Sequence, residues 1–183
     1  MKLQREMNRT IDTELLVEKA VGYFKQSYNC SQSVAMAFAE YYGISEPLMA
    51  RFAASFGGGI GRMRETCGSA CAMFMLAGLE VQNVDDSPCA LDLSTNPYPS
   101  QELKKKNYEV VQQLAARFRE TTGSICCREL LGLNKQRVDG TLPEISATPE
   151  ARTDEYYRKR PCIRMVETAV RIYAEYLNEK NKR

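Results

Sequence analysis

The sequence predicts an all-α protein: a single-domain helical bundle of about six to eight helices with no sheet. Three observations carry that prediction. Apolar residues recur at helical spacing along most of the 183-residue chain. No stretch alternates apolar and polar residues with the period of two that a half-buried strand needs. Capping residues, glycines and prolines then cut the chain into pieces of helical length.

Taken in order, the first helix is expected over 12–28, with Leu15, Leu16, Ala20 and Tyr23 on one side. Asn29-Cys30-Ser31-Gln32 reads as a fresh start, Asn29 as N-cap and Gln32 in the capping-box position. This second helix carries Val34, Ala35, Phe38 and Tyr42 and stops at Gly43. Ser45-Glu46-Pro47 opens a third, where the missing N–H of proline costs nothing in a first turn. It ends at the glycines after Phe56, and a fourth helix is expected over about 66–80. Residues 81–99 hold Pro88, Pro97 and Pro99 among polar residues and read as a long loop. Ser100 caps a long helix with Leu103, Val110, Val111, Leu114 and Phe118 in register. Gly123 breaks it, a short helix follows to Leu133, and a second polar loop covers about 134–147. Thr148-Pro149-Glu150 reads as a helix start, and Pro161 interrupts. The last helix carries Ile163, Val166, Val170, Tyr173 and Leu177.

One domain covering 1–183 is expected, because a chain of this length buries about 70% of its unfolded surface. Such a core needs neither disulfides nor metal merely to exist. Net charge is only +2, and Lys104-Lys105-Lys106 stands between Glu102 and Glu109, a solvated helix face rather than a nucleic-acid patch. The most apolar run, 68–79, is too short to cross a bilayer. The stretch MKLQREMNRT lacks the apolar segment of a secretory signal, so a cytoplasmic protein is expected. In that reducing setting seven cysteines favour metal binding or redox chemistry over static disulfides. The chain contains no histidine. Ser–His and Cys–His nucleophiles are thereby excluded, as are zinc sites built on imidazole. A metal would be held by thiolates, carboxylates or backbone.

Overlaying the cysteines on the predicted helix starts gives a pattern. Cys30 follows Asn29, Cys67 follows Thr66, Cys127 lies three residues beyond Ser124, and Cys162 follows Pro161. Unpaired N–H groups and the helix dipole favour negative charge at such a position. The thiol pKa is therefore expected to fall there. Arg62 and Arg64 near Cys67, and Arg160 near Cys162, would reinforce this if they point inward, and Glu65 is a candidate proton acceptor. There is no CxxC, so a site forms only if the bundle gathers distant helix ends. Cys71 shares a helix face with Cys67 and reads as packing or an auxiliary thiol. Cys126 points away from Cys127, and Cys89 lies in the proline-rich loop.

The glycine run Gly57, Gly58, Gly59 and Gly61 lacks the Lys-Ser/Thr ending and preceding strand of a phosphate-binding loop. It reads first as a sharp turn feeding the Cys67 helix. Gly68, beside Cys67, leaves room for another backbone or a ligand to approach the sulfur. An anion or substrate pocket is the other reading of these five glycines.

With these residues assembled, the chain resembles the bacterial and archaeal family labelled C_GCAxxG_C_C, redox-active proteins with four characteristic cysteines. The resemblance runs through "NCSQSV" at 29–34, "FGGGIG" at 56–61, "CGSACA" at 67–72, "GSICCREL" at 123–130 and "PCIRMVETA" at 161–169. It covers about 12–178 apart from the polar loops, and implies Cys30, Cys67, Cys127 and Cys162 as the family cysteines. Ser69 and Ala72 depart from the family's Ala and second Gly.

Two mechanisms follow for those four cysteines. They ligate a metal, as an iron–sulfur cluster or zinc, or two of them cycle between dithiol and disulfide. Either implies an electron or thiol partner. The alternative is an anion- or small-molecule-binding module built on the glycine turn, Arg62 and Arg64, with the cysteines structural. A third reading is an interaction protein, in which the last helix, with Tyr173 and Tyr176, completes a homodimer or else closes the monomer core.

Overall fold

The computed structural model describes residues 10–80, 100–136, 140–141 and 146–182. It is all-α, with no strand among the described residues. The helices are α1 (Thr13–Lys25), α2 (Cys30–Ala37), α3 (Ala39–Tyr42), α4 (Glu46–Ala53), α5 (Gly68–Glu80), α6 (Gln101–Thr122), α7 (Cys127–Leu130), α8 (Asp154–Lys159) and α9 (Cys162–Lys180). A 3-10 turn, Ala54–Phe56, extends α4.

Capping chemistry explains where most helices begin. Asn29 and Gln32 close a capping box on α2, each side chain accepting from the other's backbone N–H at 3.0 Å. Ser100 accepts from Leu103 N–H at the start of α6, and Gly123 ends that helix in the left-handed conformation at φ 88°. Pro161 stops α8 and starts α9, as expected from its missing donor.

Three predicted boundaries are corrected. The first helix ends at Lys25, because Ser27 adopts φ 73° and Tyr28 N–H reaches back to Tyr23 O at 3.2 Å. That is a Schellman closure without its usual glycine. The predicted second helix is two, since Phe38 leaves helical geometry at φ −97°, ψ 3°. The turn sets its fully buried ring edge-on to Tyr173, centroids 5.0 Å apart. Thr148-Pro149-Glu150 opens no helix. Thr153 caps α8 instead, and the Glu150 carboxylate is taken by arginines.

α9 carries the core. It packs against α1, α2, α5 and α6, with Val166, Ala169, Val170, Tyr173, Ala174 and Leu177 wholly buried. That face therefore closes the monomer. No helix among the described residues is long and apolar enough to cross a membrane.

Candidate thiol cavity

The segment 57–65 folds onto itself. Gly58, Gly59, Ile60, Gly61, Arg62 and Arg64 all have positive φ, between 56° and 76°. Ile60 and the two arginines bear real strain there, since a Cβ disfavours that region. The N–H groups of Ile60, Gly61, Arg62, Arg64 and Glu65 bond to carbonyls of Phe56, Ser55, Gly57, Gly58 and Gly59 respectively. Those five donors are spent inside the loop, which closes it as a turn and leaves none of the five for an anion.

Three of the five glycines clear space for the cysteine-bearing helix starts. A Cβ on Gly57 would overlap the capping side chain of Asn29, ahead of Cys30. One on Gly59 would stand 2.5 Å from Cys127 Cβ. One on Gly68 would stand 2.6 Å from Cys30 Sγ and 2.7 Å from Phe56 O. Backbone bonds complete the gathering: Cys67 N–H donates to Ile125 O at 2.7 Å and Cys127 N–H to Glu65 O at 2.6 Å. An isolated bridge, Thr66 to Cys126, joins those two segments.

The result is a cavity of about 300 Å³ lined by Cys30, Cys67, Cys127 and Cys162 together. Cys30, Cys127 and Cys162 are the first residues of α2, α7 and α9. Cys67 occupies the N-cap position of α5: its carbonyl accepts from Cys71 N–H, and its sulfur accepts from the N–H groups of Ser69 and Ala70. Of the cofactor candidates, Gly57, Gly58 and Gly61 line the cavity, while Gly59 and Gly68 shape it from behind.

The other thiols stand aside. Cys71 is buried with its thiol 3.7 Å from Thr66 O, and Cys126 donates to Arg64 O at 3.6 Å. Cys89 lies outside the described residues. Glu65 does not line the cavity, and its carboxylate is 4.0 Å from Arg128.

The expected fall in thiol pKa is overturned at Cys67, Cys127 and Cys162. Burial holds Cys67 well above its ordinary value, raises Cys127, and pushes Cys162 and Cys71 up to about 12. A negative charge on Cys30 would raise all four further, which makes Cys30 the thiol they share. Magnitudes explain the outcome. A helix start supplies about 0.3–1 kcal/mol, while a tenfold change in ionisation is about 1.4 kcal/mol. The dipole therefore loses to desolvation. Arg64 opposes the rise at Cys127 by charge and a hydrogen bond to the sulfur, and Arg160 and Arg152 oppose it at Cys162.

The arginines are the residues sequence reasoning partly missed. Arg62 and Arg64 were legible beside the glycines, and Arg160 beside Cys162. Arg152 was not, because the expected helix start at 148–150 hid it. Its guanidinium lies over the rings of Phe24 and Tyr156, 4.6 Å from each centroid. Arg160 lies 5.2 Å over the same Tyr156 and pairs with Glu150. Arg62 Nε donates to Ser146 O at 2.8 Å.

Among the described residues, no group of three or more cysteine, aspartate or glutamate side chains stands in an arrangement able to hold a metal ion. The donor set the cavity offers is four sulfurs, each of which would give up its proton to a metal on coordination.

No curated protein and no solved structure matches this chain. A family model does match, over residues 28–176, from the residue before the capping asparagine through all four cavity cysteines. The chain belongs to the family described as "Putative redox-active protein (C_GCAxxG_C_C)".

Proposed function

We propose that the protein is a thiol–disulfide redox protein whose working centre is the four-cysteine cavity, with Cys30 and Cys67 as its primary couple. The observation that carries this reading is the convergence of four thiols from four separate helix starts on one cavity. Cys30 Sγ lies against Gly68, the residue after Cys67, and a charge on Cys30 is the largest influence on Cys67 after burial. Loss of two electrons and two protons from this pair forms one sulfur–sulfur bond. Cys127, held by Arg64, and Cys162, beside Arg160, are then placed to take over the disulfide by exchange. A reducing compartment such as the cytoplasm suits a couple that must cycle.

Equilibration in buffers of graded thiol/disulfide ratio, followed by acid quench, alkylation and peptide mapping, tests the proposal. The expected result is a two-electron couple mapping to Cys30 and Cys67. Oxidation of isolated single thiols, with no paired cysteines, contradicts it.

A further inference from the structure

We infer, building on that redox reading, that the cavity takes a small anionic disulfide, its carboxylate or sulfonate groups bound by Arg64 and Arg152 and its sulfur–sulfur bond facing the thiols. Charge is the starting point. Four guanidinium groups line the cavity and, among the described residues, no aspartate or glutamate does. Glu150, outside it, pairs with Arg160 and stands 3.9 Å from Arg62. No described carboxylate lies within ion-pair distance of Arg64 or Arg152.

Neither of those arginines is freely solvated: Arg64 is buried and Arg152 half-buried. Arg64 is only 6% exposed, and a buried cation without a counter-ion is costly unless something supplies the missing charge. The Arg152 guanidinium carbon stands 4.6 Å from the ring centroids of both Phe24 and Tyr156, and its Nη1 is buried with no hydrogen-bond partner. A fixed guanidinium with an unused donor suits a planar carboxylate or a sulfonate. Volume limits the rest. About 300 Å³ is at the small end of ligand pockets, which favours a low-molecular-weight disulfide over a protein loop.

The chemistry balances without further reagents. A cavity cysteine attacks one substrate sulfur, making a mixed disulfide and releasing one substrate thiol, which carries away the attacking thiol's proton. A second cysteine attacks the protein sulfur of that bond, forming the protein disulfide and releasing the second substrate thiol with the second proton. Two protein thiols are oxidised by two electrons, and one substrate disulfide is reduced by two.

The test compares three small disulfides on the reduced protein: 3,3′-dithiodipropionate (doubly anionic), bis(2-hydroxyethyl) disulfide (neutral) and cystamine (doubly cationic). Each rate is divided by the rate of the same disulfide with free 2-mercaptoethanol. The expected order is anionic, neutral, cationic, with the anionic compound at least about tenfold ahead of the neutral one. That advantage shrinks as salt is raised, and Arg152→Gln removes most of it. Equal normalised rates, or cystamine leading, overturn the anionic preference and leave the redox reading standing. Failure of all three to oxidise the cavity thiols overturns the redox reading and this inference with it. The charge series needs only the unaltered protein, so it decides even if Arg152→Gln does not fold.

Discussion

The two ends of α9 bury ionisable groups in opposite ways. At Cys162 the helix opens into the thiol cavity. At Tyr173, roughly 16 Å further along at 1.5 Å per residue, it meets Tyr42 with the hydroxyls 2.5 Å apart. Burial pushes both tyrosines well above their ordinary range, as it does the thiols. At the tyrosine end, however, the polar groups are all answered. Tyr42 also bonds Glu80, and Lys180 Nζ donates to Glu80 at 2.9 Å. At the cavity end two guanidinium groups have no described carboxylate, and four thiols have no disulfide among the described residues. Desolvation alone therefore does not mark a working site. What distinguishes the cavity is unanswered charge beside nucleophilic groups.

Substitutions can break this contrast, beginning with the largest effect. Cys30→Ser should abolish the paired two-electron oxidation, since it removes the thiol shared by the others, whereas Cys71→Ser should leave it in place. Peptide mapping after oxidation distinguishes them. Next comes Gly68→Ala, whose Cβ would meet Cys30 Sγ at 2.6 Å and Phe56 O at 2.7 Å. It should destabilise by about 1–3 kcal/mol in urea denaturation and slow the redox step. Gly78→Ala, in the same helix with nothing within 4 Å, should instead stabilise by up to about 1 kcal/mol. Tyr173→Phe should cost about 1 kcal/mol and leave thiol oxidation unaltered.

A pH dependence sharpens the same comparison. Cys71 and Cys162 have folded pKa values of about 12 against an ordinary 9.0. Above pH 9 the unfolded chain releases these protons first, so their contribution is fully present below 9 and is lost as pH climbs toward 12. Thermal denaturation should show stability falling across that window. Alkylation of Cys162 should still be accelerating at pH values where an ordinary thiol has levelled off.

Much of this was legible in the sequence, for stated reasons. Helix starts announce themselves through local chemistry, so Asn29, Ser100, Gly123 and Pro161 place elements correctly, and the starts at Asn29, Thr66, Ser124 and Pro161 single out the four cysteines. What was not legible depended on distant partners. Phe38 breaks a helix because Tyr173 waits more than a hundred residues away. The glycines read as a turn, and they are one, yet the reason for Gly57, Gly59 and Gly68 is the approach of Asn29, Cys127 and Cys30. The thiol pKa direction at Cys67, Cys127 and Cys162 is hidden from the sequence, because a helix dipole is visible there and burial is not. The Ser69 hydroxyl is buried with no partner, so Ser69→Ala should stabilise by about 1 kcal/mol in urea denaturation.

The central claim is that Cys30 and Cys67 form one reversible couple inside a shared cavity. Its most direct test is quantitative: differential alkylation of the anaerobically purified protein across a series of redox buffers, with iron and zinc measured on the same samples. The account predicts a metal-free protein in which Cys30 and Cys67 lose reactivity together along a single two-electron curve. Stoichiometric iron or zinc that disappears in Cys67→Ser would contradict it and make the four sulfurs a ligand set.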